Sequence, residues 1–129
     1  MAVSFNHTIV YAADKRASAE FFAEIFGLDP PQPVFGHFMT VTLAGGVALD
    51  YADADGSVRP QHYAFLVGED DFDGILARIQ SAGLDYWADP ARSRPGQINH
   101  NDGGRGVYFT DPDGHFLEAI TRPYGSGAA

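Results

Sequence analysis

The pattern of hydrophobic and polar positions runs through one series of elements and then starts again. Residues 5–11 alternate, which puts Phe5, His7, Ile9 and Tyr11 on one face of a strand. Past Asp14 the period becomes helical. Ser18, Phe22, Ile25 and Phe26 share a stripe, with Asp14 placed to cap the start and Gly27 the end. Asp29-Pro30-Pro31-Gln32-Pro33 cannot prolong a helix, and strands at about residues 38–43 and 47–51 follow, joined by Ala44-Gly45-Gly46 as a hairpin. A polar connector at residues 53–57 ends this half. The second half opens with a strand at residues 61–67. A helix capped by Asp70 then places Phe72, Ile75, Leu76 and Ile79 on one face and stops at Gly83. Tyr86-Trp87 begins another strand. A polar stretch, residues 89–104, leads to strands at 107–110 and 116–121 around the Asp111-Pro112-Asp113-Gly114 turn. Arg122-Pro123 and a Gly/Ser/Ala tail close the pattern.

Each half reads β-α-β-β-β, a unit too small to bury its own sheet, so the two are expected to pack together. The fold class predicted is α+β, with residues 1–57 as the first module, 58–123 as the second and 124–129 as a tail. The repeat also carries chemistry. His7 and His62 stand at matching places on the first strand of each half, 55 residues apart (62 − 7). Asp50 and Glu118 follow turn glycines Gly46 and Gly114, and both spacings between halves are 68 (118 − 50 and 114 − 46). A histidine on the first strand and an acid on the last, in duplicate, is the pattern of a metal site built from two modules. Strand period puts Glu118 on the same side as Phe116 and Ile120. A carboxylate there needs a partner, since an unpaired buried one costs several kcal/mol.

Composition narrows the choices. The chain has 129 residues, enough for one domain, and lacks cysteine, so any metal is held by nitrogen and oxygen and no disulfide or thiol nucleophile is available. Eight basic against seventeen acidic residues give a net charge of −9, which disfavours nucleic acid and anionic membrane surfaces as partners. No stretch approaches membrane-spanning length and residues 1–5 do not open a signal peptide, so a cytoplasmic location is expected. The metal set predicted is His7, His62 and Glu118. Two imidazoles and one carboxylate leave positions open for a bidentate substrate and a water or dioxygen. Asp50 is the candidate base if it is not a ligand. His100, in the polar stretch with Arg92, Arg94, Gln97, Asn99 and Arg105, becomes an acid or base if that stretch closes as a lid. His37 and His115 are assigned to structure or surface.

The words Gln61-His62-Tyr63-Ala64-Phe65 and the run from Tyr108 to Glu118 through the DPDG turn resemble the vicinal oxygen chelate superfamily. That group holds glyoxalase I, extradiol dioxygenases, fosfomycin-resistance transferases and bleomycin-resistance proteins. The resemblance runs from Phe5 to Ile120. It implies paired modules curled into a cup-shaped, barrel-like mixed sheet with flanking helices, completed within a homodimer. It also implies one divalent ion (Fe, Mn, Ni or Zn) on His7, His62 and Glu118, and a small oxygen-rich metabolite or antibiotic as substrate. The second half is most similar to the fosfomycin-resistance transferases, in which Tyr108 matches a pocket tyrosine. Those enzymes carry threonine at Ile9 and lysine at Ala88, both used on the phosphonate, and this chain has neither. Glyoxalase I places a fourth ligand, an acid, at Asp50. The rival readings are thiol transfer and metal-free sequestration of an aromatic antibiotic.

Overall fold

The computed structural model describes residues 2–127. The chain divides into two compact units, Met1–Arg59 and Pro60–Ala129. Unit one runs β1 (His7–Ala12), α1 (Lys15–Phe26), β2 (Gln32–Val34), β3 (Phe38–Thr42) and β4 (Ala48–Asp53). Unit two runs β5 (His62–Leu66), α2 (Glu69–Ser81), β6 (Tyr86–Trp87), β7 (Gly106–Thr110) and β8 (Phe116–Ile120). Each forms one mixed sheet, in the orders β1-β4-β3-β2 and β5-β8-β7-β6. The first and last strands of each unit are parallel neighbours, and the other pairs are antiparallel. The protein is thus an α+β fold of two βαβββ units.

Local chemistry explains most of the boundaries. The Asp14 carboxylate accepts the N–H groups of Arg16 and Ala17 at the start of α1. Gly27 takes the left-handed conformation, φ 69°, and Leu28 N–H closes on Ala23 O at 2.8 Å, a Schellman-type stop. The predicted stripe of α1 is the buried one, Ser18, Phe22, Ile25 and Phe26 included, with the Phe22 and Phe26 rings stacked at 4.4 Å.

Four details differ from the pattern. Helix α2 starts at Glu69, after Gly68, and no side chain caps it. Asp70 lies in the first turn with Glu69 and Asp71, where three carboxylates meet the positive end of the helix dipole. Strand β2 occupies part of the proline-rich stretch. It is an edge strand, where a residue without an N–H is tolerated, and Pro33 pairs with Met39 there. Ala44–Gly46 is a single 3-10 turn with Gly45 at φ 74°. The tail is tied down as well: Gly125 and Gly127 N–H donate to Asp102 Oδ1.

The faces of β1 and β5 came out as the alternation requires, with the histidine side outward. Val10 and Ala12 are buried, whereas Phe5 and Tyr11 on the His7 side are 65% and 52% exposed. On β5 it is His62 and Leu66 that face outward.

The turn before β8 contains a buried acid. Asp111 Oδ1 accepts the N–H groups of Asp113 and His115, and His115 Nδ1 accepts Gln61 N–H at 2.9 Å. His115 is buried, so it is a structural residue of the turn. Burial raises the Asp111 carboxyl above its ordinary range, against the opposing pull of His115 and of those N–H groups. A raised folded value means that the folded chain holds the proton more tightly than the unfolded one. The contribution is therefore full below the unfolded value and is lost as pH rises through the folded value. Asp111→Asn keeps the accepting oxygen and cannot ionise. Its stability relative to wild type, from urea midpoints, is expected to improve as pH rises from the ordinary aspartate range through the raised folded value. A difference that is flat with pH would remove Asp111 from the account.

Candidate metal centre

Strand register puts the site residues on one face of the second sheet. β5 and β8 pair His62 with Phe116 and Ala64 with Glu118, while β8 and β7 pair Glu118 with Tyr108, and β6 adds Trp87 opposite Tyr108. Paired residues share a face. Because Ala64 is small, the His62 ring reaches past it, and Nε2 lies 3.0 Å from Glu118 Oε1. Glu118 is 1% exposed and the His62 side chain 49%, so the acid is sunk in the sheet while the imidazole edge is open.

The other nitrogen of His62 decides how this pair is read. Nδ1 lies 2.9 Å from the Phe116 carbonyl oxygen. A carbonyl only accepts, so Nδ1 carries the proton and donates. In the neutral ring Nε2 then presents a lone pair to a carboxylate oxygen, two acceptors at hydrogen-bond distance with nothing to share. A cation between them, or a proton on the ring or on the buried carboxyl, relieves that juxtaposition. A backbone carbonyl holding Nδ1–H is the outer-sphere device that fixes a metal-binding imidazole. His62 Nε2 and Glu118 Oε1 are thus two donors, one nitrogen and one oxygen, of the kind a divalent ion takes.

The second oxygen of Glu118 is occupied from the tail. Tyr124 O–H donates to Oε2, and the two phenol oxygens of Tyr124 and Tyr108 lie 2.9 Å apart. Tyr124 has one proton and spends it on the carboxylate, so Tyr108 must donate to the Tyr124 oxygen. A directed chain results: Tyr108 to Tyr124 to Glu118. Burial, then the Glu118 carboxylate, pushes the Tyr124 phenol far above its ordinary range; burial also raises Tyr108. Both are donors rather than bases at neutral pH. Tyr108 also lies flat against His62, centroids 6.2 Å apart, and stacks on Phe116 at 5.3 Å.

In the first unit the same register gives a different outcome. Ile9 pairs with Asp50, which pairs with Thr40, the counterparts of Ala64, Glu118 and Tyr108. Aspartate is one methylene shorter and faces a branched side chain instead of alanine. Asp50 Oδ1 accepts Thr40 Oγ1–H at 2.7 Å, and His7 Nδ1 lies 2.6 Å from Asn6 Oδ1. His7 thus repeats the tether of His62: Nδ1–H donates to a neutral oxygen, leaving Nε2 free.

Of the residues predicted from sequence, the structure joins His62, Glu118 and Tyr108. It leaves His7 and Asp50 on the first sheet. Among the described residues, no group of three or more His, Asp or Glu side chains is gathered as an ion would need. His100 is exposed; its carbonyl accepts Gly103 N–H, and its ring takes no part in the Tyr108–Tyr124–Glu118 chain. The stretch around it is anchored. Asp89 accepts Ser93 and Arg94 N–H, buried Asn99 donates to Ala88 O at 2.8 Å, and Arg105 pairs with Glu69 and Asp73. A cavity of about 300 Å³ lined by Leu84, Asp85, Tyr86, Trp87, Pro95 and Gly96 shares only Trp87 with this face. Tyr124 escaped the sequence reading. Its one signal is an aromatic residue standing alone in a Gly/Ser/Ala tail, six residues beyond Glu118.

The model of the Glyoxalase/Bleomycin resistance protein/Dioxygenase superfamily matches residues 4–119. The chain belongs to this superfamily. Within the glyoxalase superfamily it is 33% identical to Glutathione transferase FosA of Serratia marcescens over 92% of this chain and 80% of that one. It is 38% identical to Metallothiol transferase FosB of Shouchella clausii, over 94% and 82%. Among solved structures, Oxidase ChaP-H2 is 62% identical with a TM-score of 0.94, covering 99% of this chain and 100% of that one. These glyoxalase-superfamily relatives are enzymes by name, transferases and an oxidase, in keeping with an enzyme here. No helix among the described residues is long and apolar enough to cross a membrane.

Proposed function

We propose that this chain is a metal-dependent oxidase that holds one divalent ion on His62 Nε2, Glu118 and His7 and acts on a small oxygen-rich compound. The observation that carries the reading is the Nδ1–H bond of His62 to the Phe116 carbonyl, which turns Nε2 toward a buried carboxylate 3.0 Å away. The matching tether of His7 on Asn6 makes it the natural third ligand. As the superfamily resemblance implies, the set is completed within a homodimer. A redox-active ion held this way supplies a site for vicinal substrate oxygens and for dioxygen. The residues do the rest. Glu118 is oriented by Tyr124, Tyr108 backs the His62 ring, and the aromatic face of Tyr108, Phe116 and Trp87 accepts a planar substrate.

Oxidation is preferred over thiol transfer for two reasons. Identity to the oxidase is 62%, against 33% and 38% to the transferases. The chain also has Ile9 and Ala88 where a transferase needs polar groups for a phosphonate. The deciding experiment loads the full chain anaerobically with iron(II) and follows oxygen uptake with catechol-type substrates, beside glutathione consumption with fosfomycin. Oxygen uptake that disappears in His62→Ala is expected; thiol consumption without oxygen uptake would move the chain to the transferases. Tight binding of an aromatic antibiotic by metal-free protein, with neither activity, would make it a sequestering protein.

A further inference from the structure

The face that holds His62 and Glu118 also carries a guanidinium that no carboxylate neutralises among the described residues. Arg92 Cζ stands 4.8 Å from the Trp87 ring centroid and 4.9 Å from that of Phe116. Phe116 in turn lies 5.9 Å from the His62 ring and stacks on Tyr108. Acids outnumber bases seventeen to eight in this chain, and Lys15 and Arg105 each pair with one or two of them. Arg92 is exposed, yet it lies against two aromatic rings instead.

The backbone is bent to keep it there. Arg92 has φ 59°, in the left-handed region, which a residue with a Cβ adopts only at a cost. The turn is imposed from Asp89. Its carbonyl accepts Arg92 N–H at 3.2 Å, and its carboxylate accepts Ser93 N–H, Ser93 Oγ–H and Arg94 N–H. Strain held in place by four bonds, at a charge aimed along the site's own aromatic face, is the kind of cost that function maintains. Arginine suits the place, since its flat cation lies on a ring while its N–H edge stays free for a planar oxyanion.

We infer that Arg92 is the anion-binding residue of this site, holding an ionised oxygen (carboxylate, phenolate or enolate) of a planar substrate whose ring lies along Trp87 and Phe116. The inference rests on the reading that His62 and Glu118 mark the reaction centre. Trp87 is the single tryptophan of the chain, so its fluorescence reports binding at this spot.

The experiment titrates chelator-treated, metal-free full-length protein with benzoate and with neutral benzyl alcohol, reading Trp87 in wild type, Arg92→Lys and Arg92→Gln. Without metal, any preference for the anion belongs to the protein. Wild type is expected to favour benzoate at least about tenfold, in line with a charge-assisted bond. Arg92→Lys should keep part of that preference and Arg92→Gln none. Metal content after reloading should be equal in all three, with circular dichroism unchanged. A preference that survives in Arg92→Gln, or none in wild type, overturns the assignment. Failure of the metal reading shows separately, as a wild-type chain that takes up no more metal than His62→Ala.

Discussion

Glu118→Gln is expected to lower the affinity for a divalent ion by more than about 100-fold while leaving the fold intact. Losing an outer-sphere partner of a ligand already costs about 10–100-fold, and this substitution removes the ligand's charge itself. The fold should be indifferent for a reason peculiar to this geometry. The Glu118 carboxylate lies 3.0 Å from Nε2 of His62, and the ring's Nδ1–H is committed to the Phe116 carbonyl, so with the neutral ring the two meet acceptor against acceptor. A carboxamide turns its NH₂ toward Nε2 and its oxygen toward Tyr124 O–H, which satisfies every polar atom at the same volume. The urea midpoint should therefore stay within about 0.5 kcal/mol of wild type or rise slightly, as for substitutions that leave no partner unmet. Metal per chain by mass spectrometry and urea unfolding check the two halves together. Wild-type metal content in the glutamine variant would show that Glu118 is a structural acid, and a large loss of stability would show that its negative charge holds the sheet.

Tyr124→Phe carries the second large effect, a loss of about 10–100-fold in metal affinity. The phenol donates to Glu118 Oε2 and accepts the Tyr108 proton. Without it the carboxylate is free to rotate between its two oxygens, and its coordinating geometry must be bought back on binding. Tyr108→Phe is the control. It removes the outer link and leaves Tyr124 on Glu118, so its effect on metal should be several-fold smaller. Competition with a chelating dye gives the affinity directly, without reference to activity. Equal effects of the two variants would mean that neither phenol orients the acid. A chain ending at Pro123 should behave like Tyr124→Phe, since the tail's anchorage on Asp102 serves to deliver this side chain.

The strand alternation around His7 and His62, the capping by Asp14 and the stop at Gly27 are local effects, decided within a few residues, and they stand in the structure as the pattern implies. Asp70 does not, because whether a helix starts two residues earlier is set by Gly68 O accepting Phe72 N–H, a bond with no sequence signature of its own. Strand β2 was hidden by its prolines, since tolerance of Pro33 depends on an edge position that only the sheet order defines. Tyr124 was hidden for a related reason: its partner is a carboxylate on another element, and the tail that carries it has no periodicity.

By itself the sequence determined the strand and helix that open each half, the strands that close it, and the matched His and acid on the first and last of them, because hydrophobic period and turn chemistry are local and repeat. Only the tertiary structure decided which acid joins its histidine. Glu118 reaches His62 across Ala64, whereas Asp50, one methylene shorter and opposite Ile9, turns to Thr40. That choice depends on a few ångströms of reach between neighbouring strands, a distance set by register and side-chain volume together.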